Sequence, residues 1–98
     1  MPIEPVSYWR SSQDDPYGKL PSSMEAPTVR LGRVIKRFRE ELGMSQESLA
    51  SHSGLNRTFI GEIERGETNP SFETLVTLSH TLQVSLAELM AAYEHLGS

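Results

Sequence analysis

The sequence predicts a small all-α domain of five helices over residues 28–98, preceded by an extended arm. Three observations lead to this prediction. The chain has 98 residues, enough for one small domain. Five of its six prolines lie within residues 1–27, whereas the remainder carries apolar residues at helical spacing. No strand pattern of alternating apolar and polar residues interrupts that remainder.

Residues 1–27 are predicted to form an extended arm. Each proline fixes its own φ, removes a backbone donor and biases the residue before it away from helix. The arm also carries the aromatic residues Tyr8, Trp9 and Tyr17. Two interpretations stay open: a solvated segment, or an arm that packs these rings on its own domain or on a partner subunit.

The first helix is predicted from an apolar stripe that follows Thr28. Its members recur at i, i+3, i+4, i+7 and i+11, which is the spacing of one face of an amphipathic helix. Gly43 suits the left-handed conformation that commonly ends a helix. The residues of the stripe are Leu31, Val34, Ile35, Phe38 and Leu42.

Two short helices are predicted next, and each begins with a capping residue. Ser45 and Asn56 can accept a hydrogen bond from a free backbone N–H of the first helical turn. The two helices are expected to end near Gly54 and before Gly66. Their inward faces carry Leu49, Ala50, Ile60 and Ile63.

The last two helices also follow from their start signals. Pro70 and Ser71 break the chain and begin the fourth helix. Ser85 and Glu88 form a capping box that begins the fifth helix, over residues 85–96. The residues expected to face inward are Phe72, Leu75, Leu78 and Leu82 in the fourth helix, and Leu86 and Leu89 in the fifth.

Charge is distributed unevenly along the chain. The formal net charge is -4, which alone argues weakly against a nucleic-acid partner. Residues 71–98 contain no Lys or Arg, whereas residues 28–70 contain seven Lys and Arg against six acidic residues. A protein that is acidic overall can therefore present a locally positive face on its first three helices.

Composition argues against several classes of function. Cysteine is absent, which excludes disulfides, thiol nucleophiles and Cys-ligated zinc. No stretch approaches the ~20 apolar residues of a membrane-spanning helix, and no secretory signal is visible, so a cytoplasmic protein is expected. The three histidines lack the spacing of metal ligands, and nothing supports an enzyme, a metal or a cofactor. These histidines are His52, His80 and His95.

The segment from Gln46 to Arg65 meets the steric demands of a helix-turn-helix. Ala50 is small enough to let two helices cross closely. Gly54 permits a turn with positive φ, and Leu55 closes this turn from the inside. The joint spacing of these residues is much stronger evidence than any one of them.

Residues 28–90 resemble the phage-repressor/Cro family of helix-turn-helix proteins, also called the Xre type. The resemblance implies a compact, lambda-repressor-like five-helix domain that binds DNA in transcription control, usually as a dimer. The arm has no counterpart in the family pattern. The matching residues are Gln46-x-x-Leu49-Ala50, Gly54-Leu55, Ile60, Ile63-Glu64-Arg65-Gly66, Pro70-Ser71 and Val84-Ser85.

The resemblance implies that the third helix enters the major groove with its N-terminal end first. Arg57 is the strongest candidate for reading a base, because a guanidinium matches the O6 and N7 acceptors of guanine. Thr58 can contact a base edge or a thymine methyl, and Glu62 can accept from the amino group of cytosine. Asn56 is included in this base-contacting set. A solvated helix surface is the alternative interpretation.

Four further residues are expected at the DNA backbone. Gln46 resembles the family residue that binds a phosphate together with free N–H groups at a helix start, and Ser45 can join it. Arg65 can bind a second phosphate. Phe59 stands where relatives often have tyrosine and, without a hydroxyl, offers only packing.

By similarity to the family, Arg39 and Glu64 are expected to form a partly buried ion pair between the first helix and the end of the third. Such a pair adds little net stability, but removing one partner leaves a buried charge uncompensated. Substitution of Arg39 is therefore expected to weaken DNA binding indirectly.

One recognition helix covers few base pairs, so a homodimer on a pseudo-palindromic operator is expected. The fifth helix is the predicted seam, because Met90, Tyr93 and Leu96 add apolar surface beyond Leu86 and Leu89. Plain core filling is the alternative.

Together these expectations describe a homodimeric transcription regulator, a repressor or autoregulator, that binds double-stranded DNA and no membrane. An alternative of another class is an antitoxin-type module whose arm holds a protein partner. A further alternative is the controller protein of a restriction–modification operon. Neighbouring genes or a co-purifying partner would distinguish them.

Overall fold

The computed structural model describes residues 26–96, except for the side chain of Leu96. This part of the chain forms five helices and no strand, as predicted. None of these helices combines the length and apolar character needed to cross a lipid bilayer. The expectations for the arm, including a protein partner held by it, concern residues that lie almost wholly outside this description. The helices are α1 (Pro27–Glu41), α2 (Gln46–Ser53), α3 (Arg57–Glu64), α4 (Phe72–Thr81) and α5 (Leu86–Leu96).

The helices start where their capping residues predict. The N-cap side chains of α2, α3 and α4, namely Ser45, Asn56 and Ser71, each accept a hydrogen bond from a backbone N–H of the first turn. At α5 the Ser85 N–H donates to the Glu88 carboxylate at 2.8 Å, and the Glu88 N–H donates to the Ser85 hydroxyl at 2.9 Å. Helix α1 begins at Pro27, inside the predicted arm, because proline lacks only an N–H that the first turn leaves unused.

The core contains apolar residues from all five helices, largely as the periodicity predicts. The inward orientation of Phe72 was wrong, since this side chain is 68% exposed. At 3.6 residues per turn, Phe72 is rotated by roughly 90° from the mean direction of Leu75, Leu78 and Leu82, the last of which directly follows α4. Leu42, the last member of the stripe, follows the end of α1 and is also exposed. The most deeply buried side chains are Val34, Ile35, Leu49, Ile60, Ile63, Leu78, Leu82 and Leu89.

Helix α1 holds the C-terminal end of α3 in place at two points. A methyl group added at Gly32 would collide with the backbone carbonyl oxygens of Ile63 and Glu64, so only glycine allows this close crossing. At the start of α1, the Thr28 hydroxyl donates to the carbonyl oxygen of Gly66 at 3.0 Å. These contacts fix the orientation of α3 relative to α1.

Candidate nucleic-acid interface

The turn between α2 and α3 has the predicted helix-turn-helix geometry. Gly54 ends α2 with φ of 78°, and its N–H donates to the carbonyl oxygen of Ala50 at 2.9 Å. Ala50 is buried where the helices cross, and Leu55 packs against the core from the turn. The turn therefore sets α3 firmly against α2.

Helix α3 has one buried side and one side that faces solvent. Ile60 and Ile63 anchor it in the core. The Asn56 side chain caps its exposed N-terminal end, where Oδ1 accepts the Thr58 N–H at 2.7 Å and the Phe59 N–H at 3.4 Å. The cap uses the side-chain oxygen of Asn56, and the side-chain amide nitrogen has no partner among the described residues.

Three of the predicted base-contacting side chains lie on the open side of α3. Arg57 and Thr58 are exposed, and Glu62 is half-buried. Within the part of the chain that the structure describes, none of the three side chains forms a hydrogen bond or an ion pair. Their polar groups are therefore available to an external ligand.

Arg65 lies on the same side of the helix but has a partner that was not predicted. Its Nε donates to Oε2 of Glu67 at 2.8 Å, and its Nη2 donates to Oε1 at 3.1 Å. These hydrogen bonds lower the pKa of the Glu67 carboxyl and raise the pKa of the Arg65 guanidinium. Sequence spacing gave no signal for this pair, because residues two apart do not face each other on a helix.

Gly61 lies between the two arginines of this side. A Cβ atom at this position would be 3.1 Å from Nη1 of Arg65 and 3.4 Å from Nη1 of Arg57. Both guanidinium groups therefore fold over the glycine towards the same point on the helix surface. The structure thus places two arginine side chains over this glycine.

The residues predicted to contact phosphate use only part of their side chains in internal contacts. Gln46 is half-buried, and its Nε2 donates to Oε1 of Glu64 at 2.8 Å, which leaves the second amide proton. Ser45 accepts the Ser48 N–H through Oγ at 2.9 Å, which leaves its hydroxyl proton. Phe59 packs against the core, so its ring is largely used internally.

The structure brings Arg39 and Glu64 together as the family resemblance implies. Each residue is 8% exposed. Nε of Arg39 donates to Oε2 of Glu64 at 2.6 Å, and Nη2 donates to Oε1 at 3.0 Å. Nη1 donates to the carbonyl oxygen of Met44 at 2.8 Å. The hydrogen bond to Glu64 is the main reason that the pKa of Arg39 is raised.

The residues predicted for the dimer seam lie along α5, but part of their surface is covered. Met90 and Tyr93 are half-buried and pack against the core. The Arg30 guanidinium lies over the Tyr93 ring, with Cζ 4.7 Å from the ring centroid. The side chain of Leu96 lies outside the described residues. The most exposed large apolar side chain within residues 26–95 is Phe72, on α4.

The comparison with a family model gives a direct match. Residues 35–89 match the family described as helix-turn-helix, from the middle of α1 into α5. The HTH-type transcriptional regulator SlrR of Bacillus subtilis is 43% identical over 63 residues, which cover 63% of this chain and 41% of SlrR. The chain thus spans less than half the length of that relative.

Two solved structures share the fold over most of the described residues. The restriction–modification controller protein C.AhdI of Aeromonas hydrophila is 37% identical, with a TM-score of 0.64 over 66% of this chain and 98% of that chain. The controller protein C.Esp1396I, solved as a tetramer with its natural 35 base-pair operator, is 33% identical. Its TM-score is 0.70 over 74% of this chain and 96% of that chain. Because the helix-turn-helix family model matches residues 35–89, more than half of the 98 residues, the chain belongs to the helix-turn-helix family.

Proposed function

We propose that the protein is a sequence-specific, DNA-binding transcription regulator that inserts α3 into the major groove. The observation that carries this proposal is the pair formed by Arg57 and Thr58. Both lie exposed at the N-terminal end of α3, and neither side chain has a partner among the described residues. Donors held on a rigid helix in this way can bind base edges.

Contacts to the DNA backbone would come from the start of α2. The N–H of Gln46 is at the first helical position, where no helix carbonyl can accept it. The free N–H groups of this turn and the remaining protons of Gln46 and Ser45 can bind the oxygens of one phosphate group together. Because Glu64 orients the Gln46 amide, the same buried network that seats α3 also aims this phosphate contact.

The regulator would act as a homodimer on a pseudo-palindromic operator, as a repressor or autoregulator. Two copies double the contact area and place two recognition helices about one turn of DNA apart. The relative C.Esp1396I binds its operator as an oligomer. Met90, Tyr93 and Leu96 on α5 remain the proposed seam. Such a regulator would work in the cytoplasm of a bacterium and would need no catalytic chemistry.

Selection from a random DNA pool tests this function directly. The purified protein is expected to enrich a pseudo-palindromic sequence. The logarithm of its association constant for this sequence should fall linearly with the logarithm of the salt concentration, with a slope of about −0.9 per neutralised phosphate. The variant Arg57→Ala should enrich a less defined sequence. A protein that binds no duplex more tightly than random DNA would contradict the proposal.

Control of a restriction–modification operon is a more specific candidate for the same activity. It is favoured by the similarity to C.AhdI, of which this chain covers 98%. Genes for a nuclease and a methyltransferase beside the coding sequence, with the selected DNA sequence in their promoter, would support it. A selected sequence that occurs only at unrelated promoters would argue for a regulator of another operon.

A further inference from the structure

We propose that Glu67 is a positioning residue for DNA recognition: it turns the Arg65 guanidinium over Gly61, beside Arg57, so that both arginines read base edges in the major groove. This inference rests on the proposed DNA-binding function. It replaces the predicted phosphate contact of Arg65 with a contact to bases, and it assigns a role to an acidic residue that the sequence pattern left unexplained.

The position of Glu67 is fixed by the way α3 ends. Gly66 adopts φ of 76°, and the Glu67 N–H donates to the carbonyl oxygen of Glu62 at 2.9 Å, which folds the chain back along the helix. Thr28 of α1 holds the Gly66 carbonyl oxygen at 3.0 Å. The Glu67 carboxylate therefore lies beside Arg65 because of the backbone, and this reduces the entropy cost of forming the pair.

The two-pronged hydrogen bond determines which donors of Arg65 remain. Nε and Nη2 both bind the Glu67 carboxylate, so one edge of the guanidinium is used, and the donors that remain are Nη1 and the second proton of Nη2. The remaining nitrogen, Nη1, points over Gly61 towards Nη1 of Arg57. Glycine leaves the surface of α3 open there, so both guanidinium groups can lie along it.

Charge favours a contact with bases over one with phosphate. Paired with Glu67, Arg65 contributes little net attraction to the DNA backbone, and the carboxylate itself would repel a nearby phosphate. Two guanidinium groups that converge also repel each other until an acceptor lies between or beside them. The O6 and N7 atoms of guanine are such acceptors, and they lie on the floor of the major groove.

The experiment measures how strongly the wild type and each variant prefer the wild-type site over random DNA. The full-length protein and the variant Glu67→Gln are titrated onto the duplex selected by the wild type and onto a random-sequence duplex of equal length. We expect Glu67→Gln to lose about tenfold in the ratio of the two affinities. Its affinity for random DNA should stay equal or rise, because an acidic charge near the DNA has been removed.

The control variant is Glu41→Gln, which removes the same charge from a comparable pair. Arg37 and Glu41 form an exposed ion pair at 3.2 Å near the C-terminal end of α1, and their side chains are as exposed as those of Arg65 and Glu67. We expect Glu41→Gln to keep the wild-type ratio. An equal rise in both affinities for Glu67→Gln would overturn the inference and leave the DNA-binding function intact.

A double-mutant cycle tests whether Glu67 acts through Arg65. We expect Arg65→Gln to lose the same preference, and Glu67→Gln to have no further effect in that background. A full additional loss would show that Glu67 acts independently and would overturn the positioning role. A wild-type protein without any sequence preference would instead remove the proposed function, and the inference with it.

Discussion

Arg39 of α1 donates to both carboxylate oxygens of Glu64, the last residue of α3, and both side chains of the pair are buried. The same carboxylate accepts the side-chain amide of Gln46 at 2.8 Å. One buried acid thus ties the first helix to both helices of the helix-turn-helix. The proposed base-reading helix and the proposed phosphate contact depend on it together.

We expect Arg39→Ala to destabilise the protein by about 3–5 kcal/mol, because it leaves the Glu64 carboxylate buried without its cation. Urea unfolding of both proteins measures the difference. The matched control is Arg37→Ala, which breaks an exposed pair on the same helix and should cost no more than about 1 kcal/mol. Equal losses for the two variants would mean that the buried pair has no special role.

Gly32→Ala tests the close crossing of α1 and α3. The added methyl group would collide with two carbonyl oxygens at the end of α3, so the helices must separate. We expect a loss of about 1–3 kcal/mol in the free energy of unfolding, despite the better helix propensity of alanine. Lys36→Ala, on the exposed side of α1, should stay within about 0.5 kcal/mol. A Gly32→Ala variant as stable as the wild type would place the helices further apart.

Local rules account for most of the fold. Capping residues fixed the starts of α2, α3, α4 and α5, because each cap depends only on neighbours within one turn. The prediction for Phe72 was wrong because this residue, the first of α4, was grouped with the inward-facing leucines. Its side chain is rotated from them by a quarter turn and lies exposed.

The candidate site was predictable only in part. The family pattern predicted the Arg39–Glu64 pair, which the structure contains, and the exposed positions of Arg57 and Thr58 on α3, whose contacts to DNA stay predictions. The Arg65–Glu67 pair escaped prediction because it depends on the backbone turn at the end of α3, where spacing rules for helices no longer apply. The role of Gly61 depends in turn on where those two guanidinium groups lie.

Arg57→Ala is expected to cost about 1–3 kcal/mol of binding free energy per half-site, because a two-pronged contact to one base is lost. Preference at a single base position should relax, while preferences elsewhere in the site stay unchanged. Titration of the protein onto duplexes that differ at one position each measures this. A loss of equal size for every sequence would identify Arg57 as a phosphate contact.

The pKa of Glu67 offers a test of its pairing that needs no DNA. Hydrogen bonds from Arg65 lower this pKa, so the carboxylate should protonate at a lower pH than an ordinary glutamate does. A carboxyl group with a lowered folded-state pKa stabilises the fold above its unfolded pKa, and that contribution is lost as pH falls through the folded value. A carbon-detected NMR titration should show the low midpoint, and Arg65→Gln should return it to the ordinary range. An unchanged midpoint in that variant would mean that the two side chains are not paired in solution.

Gly61→Ala should separate stability from recognition. Alanine favours the helix by ~1 kcal/mol over glycine, and the atoms that its methyl group meets belong to flexible guanidinium ends that can shift. We therefore expect a higher midpoint of thermal unfolding together with weaker binding to the selected duplex, because Arg57 and Arg65 can no longer both lie along the helix. Calorimetry and DNA titration on the same preparation measure both effects. If stability rises and DNA binding is untouched, the convergence of the two arginines over this glycine has no part in recognition.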